Sequence, residues 1–234
     1  MTAKKDRPVQ EQRRKRGPRF TTEDRQATER RLIDAAVELL KQKGLDALSF
    51  PRLAEWEGVD ITATAPLHYF GSRVGLLGAI AERGFHDLAT KLSALERESS
   101  HSSATVVQLA VAYAKYALNN RHLYRAIHEG RLWRAVTEPP TGQAAAKQRD
   151  WTTAAKEARD DAFDVFVRAI EKARLKADDS EMAARMITCL VDGYLFQALE
   201  EQVDARHTIA KKLEDVERMV RVAVRGLTVR SMDS

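Results

Sequence analysis

Apolar residues recur every three to four positions along most of this 234-residue chain. Such spacing places apolar side chains on one face of an α-helix. In the first segment of this kind, the apolar positions are Leu32, Ile33, Ala36, Val37 and Leu40. The segment begins near Thr28, and two lysines precede Gly44, which is typical of a helix C-terminus. The pattern predicts a first helix that ends at Gly44.

Two short helices and one long helix are predicted next. Ser49 is placed to cap the second helix, and Pro51 falls in its first turn, where backbone N–H groups have no helical partner. Gly58 is expected to end that helix. A third short helix is predicted within residues 61–70. Ser72 then begins a fourth helix that carries a long apolar stripe.

A run of polar residues at 99–103, four of them serine, separates this part from the rest of the chain. Later helices are predicted over 104–118, 121–136, 150–176, 180–203 and 207–228. Residues 137–143, which contain two prolines and a glycine, are expected to form a loop. No segment alternates as a strand does, so the predicted fold class is all-α. The expected division is an arm at 1–27, a small helical domain at 28–98 and a larger one at 104–234.

Charge is concentrated at the N-terminus. The formal net charge is +5, from 39 Lys and Arg against 34 Asp and Glu. Residues 1–20 hold eight bases and two acids, a net of +6, so the remaining residues sum to −1. Arg14, Arg16 and Arg19 can neutralise DNA phosphates or enter a minor groove. A solvated tail without a specific partner is the alternative.

Composition narrows the function classes. The single cysteine, Cys189, excludes an intrachain disulfide and a cysteine-based zinc site. No stretch approaches the ~20 apolar residues that cross a bilayer, so a cytoplasmic protein without a membrane partner is expected. Nucleotide-binding and metalloprotease motifs are absent from the sequence, and His122 and His128 are not spaced as a metal pair. No enzyme activity, metal or cofactor is therefore expected.

Two short helices between longer ones are the layout of a helix-turn-helix DNA reader, in which the second short helix enters the major groove. Short helix pairs also occur in all-α proteins that do not bind DNA. The residues themselves favour the first reading. The relevant segments are 33–40, Lys43-Gly44-Leu45, Leu53-Ala54-Glu55, Gly58-Val59, His68-Tyr69-Phe70-Gly71-Ser72-Arg73 and Leu76-Leu77.

In these segments the chain resembles the N-terminal domain of the TetR family of transcriptional regulators. The resemblance implies a three-helix DNA-binding domain and a larger C-terminal helical domain that binds an effector and forms a homodimer. It also implies a repressor that leaves a palindromic DNA operator when a small molecule binds. The alternative is a helical ligand-binding or enzymatic protein whose basic arm contacts polyanions without sequence preference.

The resemblance also implies roles for single residues. Ser49 and Arg73 match phosphate-binding positions, and His68 and Tyr69 match positions that contact phosphate or sugar. Thr62, Ala63 and Thr64 match the start of the recognition helix, where side chains meet base edges. Leu67 stands where the family usually has a tyrosine next to the histidine, so one expected polar contact is missing.

The chain departs from the family pattern at two places. Eight residues lie between Val59 and His68, two more than the common pattern has. Pro66 would break a helix that began much earlier, so the recognition helix is predicted to start near Thr64. Gly75 stands where the family often has an acid that completes the cap made by Ser72.

The larger domain offers candidates for an effector site and for a subunit interface. Residues that could line an apolar cavity with polar groups are Tyr113, Tyr116, Tyr124, His128, Trp133, Phe163, Phe166, Cys189 and Tyr194. The segment 180–203 is apolar on nearly all sides, which predicts burial on two faces. In the family the last two helices form a four-helix bundle between subunits. The interface candidates are Met186, Leu190, Phe196, Leu213, Val216, Val220 and Val224. A monomeric bundle is the alternative.

Overall fold

The computed structural model describes residues 21–56, 59, 61–139, 141–142, 145–175, 179–200 and 207–229. All regular elements in these residues are helical, which confirms the predicted all-α class. The α-helices are α1 (Thr22–Lys43), α2 (Phe50–Ala54), α3 (Ala65–Phe70), α4 (Arg73–Glu98), α5 (Ser103–Asn119), α6 (Arg121–Ile127), α7 (Gly130–Thr137), α8 (Ala145–Lys172), α9 (Ser180–Leu199) and α10 (Ile209–Val229). A short 3₁₀ turn, Leu45–Ala47, joins α1 to α2.

The first helix begins earlier than its apolar pattern does. The Asp24 amide donates to Thr21 Oγ1 at 3.1 Å, and the Thr21 amide donates to Asp24 Oδ2 at 2.9 Å. This capping box starts the helix at Thr22, one and a half turns before Thr28. At the other end, the Gly44 amide donates to the carbonyl of Leu40 and Gly44 takes a φ of 77°, as the predicted stop requires.

The two short helices follow the constraints set by their prolines. α2 begins after Ser49 and ends at Ala54, well before Gly58, which lies outside the described residues. α3 begins at Ala65 with Thr64 as its N-cap residue, which confirms the predicted start. Pro66 therefore lies in the first turn, where its missing N–H breaks no hydrogen bond.

Several later boundaries differ from the sequence prediction. The helix expected over 121–136 is two helices, α6 and α7, which are separated at 128–129. The Trp133 indole N–H donates to the carbonyl of Ile127 at 2.8 Å and so satisfies an acceptor at the end of α6. α8 begins at Ala145, five residues before the predicted start. α9 ends at Leu199 with Glu200 as its C-cap residue, and residues 201–203 of its predicted span lie outside the described residues.

The two parts of the chain share one continuous cluster of buried apolar residues. α4 packs lengthwise against α8, and α10 packs against α5. Two glycines allow the closest approach of α4 to its neighbours. A Cβ added to Gly75 would lie 1.8 Å from the carbonyl oxygen of Phe70, and one added to Gly78 would lie 2.9 Å from the Trp151 carbonyl. None of the described helices is long and apolar enough to cross a membrane.

Candidate functional site

The predicted recognition region presents an exposed surface. Pro66 and Phe70 are buried and anchor α3, which leaves the opposite side of the helix free. The exposed residues here are Thr62, Ala63, Thr64, Leu67 and His68. Leu67 is 47% exposed, and its neighbours on this surface carry hydroxyl, methyl and imidazole groups. Such a surface offers hydrogen-bonding groups for base edges and phosphates and apolar contact for a thymine methyl group.

Tyr69 lies at the edge of this surface and is half-buried. The guanidinium of Arg25, in the first turns of α1, lies 5.9 Å from the centre of the Tyr69 ring. The arrangement adds a cation beside Tyr69, a residue that the family resemblance predicts to contact the DNA backbone. Arg25 was not predicted, because it precedes the apolar pattern of the first helix.

The two predicted phosphate contacts lie at helix starts: Ser49 at the start of α2 and Arg73 at the start of α4. Ser49 precedes α2, and its hydroxyl makes no capping hydrogen bond. Arg73 donates from Nε to the carbonyl of Leu48 and from Nη2 to the carbonyl of Leu45, both at 2.9 Å. Arg73 thus fixes the turn before α2 to the start of α4, a positioning role that the sequence did not indicate. Arg14, Arg16 and Arg19 lie outside the described residues.

A cavity of about 690 Å³ lies in the larger part of the chain, a size that suits a small organic ligand. It lies among α4, α5, α8 and α9, and Trp133 of α7 also lines it. Its buried lining residues include Phe85, Leu88, Leu92, Tyr113 and Phe166, which are apolar or aromatic. The predicted ligand contacts that line it are Tyr113, His128, Trp133, Phe163, Phe166 and Cys189.

Three other tyrosines predicted at a ligand do not line this cavity. Tyr116 donates its hydroxyl to the carbonyl of Gly84 at 3.0 Å, and burial raises its pKa to about 12. Tyr124 contacts residues that do line it, since its hydroxyl donates to Asp192 at 2.9 Å and its ring lies 4.1 Å from that of His128. Tyr194 donates to Asp215 at 3.2 Å across α9 and α10, and burial is also the main reason that its pKa rises to about 12.

Asp192 is the centre of a polar cluster on the cavity wall. Its Oδ1 accepts hydrogen bonds from the hydroxyls of Tyr113 and Tyr124, the second at 2.9 Å. His128 Nε2 lies 3.8 Å from the same oxygen. Burial and then the charge of Asp192 raise the pKa of Tyr113 well above its usual value, so this phenol stays a donor. The sequence signal for Asp192 was available, since it is a lone acid in the apolar run 190–195.

Two arginines on the cavity wall are already paired. Arg159 contacts the Asp160 carboxylate at 3.0 Å and lies 4.5 Å from the centre of the Trp133 ring. Arg185 contacts Glu181 at 2.6 Å and lies 5.3 Å from the Phe163 ring centre. These pairs neutralise charge at the wall, and no arginine of the described residues pairs with Asp192.

α8, which lines the cavity, also contacts α3. The Trp151 indole N–H donates to the backbone carbonyl of Tyr69 at 3.1 Å, and the Trp151 ring lies 5.9 Å from that of Phe70. Ser72 donates its hydroxyl to Gln148 Oε1 at 2.6 Å. The cavity residues 159–167 lie on the same helix, about two to four turns further along. α8 therefore runs from the cavity to α3, and α4, which also lines the cavity, contacts α3 as well.

An unpartnered apolar surface lies on α9 and α10. Met182 and Phe196 are 59% and 60% exposed, and helical spacing places them on one face with Met186. Val222 of α10 is 69% exposed. Gly193 and Gly226 have open space around them.

The other predicted interface residues lie deeper in the chain. Leu190 and Leu213 are half-buried. Val216, Val220 and Val224 are buried within the single chain, with at most 4% of their surface exposed, because α10 packs against α5. These three valines are therefore part of the core of the single chain, which contradicts their prediction as interface residues.

No group of three or more potential metal ligands occurs in the described part of the chain. Two protein-family descriptions match the sequence. "Tetracyclin repressor-like, C-terminal domain" matches residues 106–225, and "Bacterial regulatory proteins, tetR family" matches residues 32–80. Among curated proteins, none matches this chain.

Solved structures share the fold. A Rhodococcus sp. RHA1 protein of unknown function is 25% identical, with a TM-score of 0.66 over 93% of this chain and 100% of the other. A regulatory protein in the tetR family from Rhodococcus RHA1 is 21% identical, with a TM-score of 0.59 over 87% and 98%. RolR in complex with resorcinol is 18% identical, with a TM-score of 0.55 over 92% and 99%.

Proposed function

Since this chain belongs to the TetR family and is a DNA-binding transcriptional regulator, we propose that it acts as a homodimeric repressor that a small molecule releases from DNA. Residues 28–98 form its DNA-binding domain, and residues 104–234 bind the effector and the second subunit. The observation that carries the proposal is the course of α8, which lines the cavity and also contacts the recognition helix. We expect it to work in the cytoplasm, where its DNA lies.

The exposed surface of α3 reads the DNA. Thr62, Ala63, Thr64 and Leu67 face base edges in a major groove, and His68 and Tyr69 bind the flanking backbone. Ser49 adds a phosphate contact from the start of α2. The basic arm, through Arg14, Arg16 and Arg19, adds attraction that depends on salt and carries little sequence information.

The operator is identified by selecting the full-length protein's targets from a library of randomised duplexes. We expect an enriched inverted repeat whose half-sites lie about one helical turn, ~34 Å, apart or a multiple of it, since a two-fold dimer presents two copies of α3. A library that stays unenriched through repeated rounds would contradict sequence-specific recognition.

Effector binding acts on DNA affinity through α8. A ligand between α8 and α9 changes which position of α8 is favoured. A shift of α8 moves α3 through the hydrogen bond of Trp151, and it moves the start of α4 through the hydrogen bond of Gln148. The ligand shifts the population only by its difference in affinity for the two states. Release therefore requires the cavity to hold the ligand better in the DNA-free state.

The second subunit covers the exposed apolar face of α9 and α10. Met182, Met186 and Phe196 supply apolar area, and Gly193 and Gly226 let a partner helix approach closely. A two-fold axis through this face makes each residue meet the same surface of the other subunit.

Phe196→Glu is expected to convert the dimer to a monomer. The change places two uncompensated carboxylates in one interface, a cost of roughly 4 kcal/mol, or about a thousandfold in dissociation constant. Sedimentation equilibrium is expected to give twice the 26.3 kDa chain mass for the parent protein and the single mass for the variant. The control is Thr153→Glu, which introduces the same charge at an exposed position of α8 and should leave the protein dimeric. If Phe196→Glu remains a dimer, the interface does not lie on this face of α9 and α10.

A further inference from the structure

We propose that the cavity takes a cationic ligand, a protonated amine carried on an aromatic body, and that its ammonium group binds at Asp192. The inference rests on the proposed effector role of the cavity and specifies the chemistry of the effector. It follows from the charge of the lining residues, the acceptors on Asp192 and His128, and the aromatic side chains of the walls.

The cavity has more acids than bases. Asp160, Asp164, Glu181 and Asp192 line it, against Arg159 and Arg185. Both arginines are taken up by ion pairs, with Asp160 and Glu181. In the part of the chain that the structure describes, no lysine or arginine forms an ion pair with Asp164 or Asp192. An anionic ligand would therefore meet net negative charge, whereas a cation compensates it.

Asp192 presents an acceptor toward the cavity. Its Oδ1 is occupied by the hydroxyls of Tyr113 and Tyr124, while its Oδ2 accepts no hydrogen bond from the described residues. The side chain is 37% exposed and lines the cavity. A carboxylate only accepts hydrogen bonds, so the ligand group that meets Oδ2 must be a donor.

His128 adds a second acceptor at the same place. Its Nδ1 lies 3.0 Å from the carbonyl oxygen of Tyr124, which only accepts, so Nδ1 carries the hydrogen. In the neutral imidazole, Nε2 is then an acceptor, and it lies 3.8 Å from Asp192 Oδ1, too far for a hydrogen bond between them. An ammonium group has three N–H donors and can use Asp192 Oδ2 and His128 Nε2 together.

The walls fit an aromatic body. Phe85, Phe166 and Tyr113 line the cavity and are buried, and the hydroxyl of Tyr113 donates to Asp192. Aromatic faces attract cations and also bury apolar rings. The rings of Trp133 and Phe163 already face arginine cations, whereas no arginine of the described residues contacts Asp192 or the ring of Tyr113.

Calorimetry with three probes that share an indole body tests the proposal on the full-length, DNA-free protein. Tryptamine is cationic, tryptophol is neutral and indoleacetate is anionic. We expect tryptamine to bind at least about tenfold tighter than tryptophol, since both can donate to the Asp192 carboxylate but only the ammonium group also brings a positive charge to it. Indoleacetate should bind weakest. Binding of indoleacetate as tight as that of tryptamine, or no binding of any probe, would overturn the proposed ligand class.

Two variants locate the ammonium group. Asp192→Asn should remove the preference for tryptamine over tryptophol, while Asp164→Asn, which removes the same charge elsewhere on the wall, should keep most of it. A preference that survives in Asp192→Asn would overturn the placement. Adding tryptamine to the operator complex separates this inference from the proposed function, because binding without release contradicts the effector mechanism and leaves the ligand class supported.

Discussion

Gly75→Ala is expected to lower the free energy of unfolding by about 3 kcal/mol and the melting temperature by roughly 6–12 °C. The added Cβ would lie 1.8 Å from the Phe70 carbonyl oxygen and 3.3 Å from the Gln148 Cα, and both are backbone atoms that no rotamer change can move aside. The junction of α3, α4 and α8 must open to accept the methyl group. Thermal and urea denaturation of the parent and variant proteins measure the loss.

Gly130→Ala is the matched control for this substitution. Gly130 is the first residue of α7, and an added Cβ there meets nothing within 4 Å. Alanine in a helix is favoured over glycine by roughly 0.5–1 kcal/mol, so this variant should be as stable as the parent or slightly more stable. If Gly75→Ala melts at the same temperature as Gly130→Ala, the close packing at this junction is contradicted. The coupling through α8 also predicts that Gly75→Ala weakens operator binding.

The double variant Thr62→Ala and Thr64→Ala is expected to bind the operator about a hundredfold or more weakly, since each lost base contact costs roughly 1–3 kcal/mol. Both side chains are exposed, and among the described residues their hydroxyls hydrogen-bond only to each other, at 3.3 Å. The fold therefore does not depend on these hydroxyls. Affinity for non-specific DNA should stay nearly unchanged because the charges are the same. Fluorescence anisotropy with both duplexes measures the two affinities.

Thr153→Ala provides the control for the double variant, because it removes a threonine hydroxyl from an exposed position on α8. It should bind the operator like the parent protein, and all three proteins should melt at similar temperatures. If the double variant keeps the operator affinity of the parent protein, Thr62 and Thr64 do not contact the base edges.

The elements near the recognition helix could be predicted because local constraints determine them. Pro66 allows α3 to begin only where its missing N–H costs nothing, and Ser72 caps α4 by accepting from the Gly75 amide at 3.1 Å. The break between α6 and α7 was missed, since the periodicity runs across it. Its stabilising contact, from Trp133 to the Ile127 carbonyl, is a tertiary detail that helical spacing does not reveal.

The parts of the site that sequence did not indicate depend on residues far apart in the chain. Trp151 and Tyr69 are separated by 82 positions, and Tyr113 and Asp192 by 79. Gly75 illustrates the difference: as a local signal it is a missing capping acid, whereas the structure shows that any side chain there would collide with the Phe70 backbone. Arg73 likewise matches a phosphate contact in sequence but holds two carbonyls in space.

The central claim is that the exposed surface of α3, rather than the basic arm, gives this regulator its DNA specificity. The most direct test is the ratio of its affinities for the selected operator and for a scrambled duplex of the same composition, measured by anisotropy as salt is raised to physiological strength. We expect both affinities to fall while the operator stays about a thousandfold or more tighter. Affinities that fall together with a ratio near one would show a polyanion binder and contradict the account.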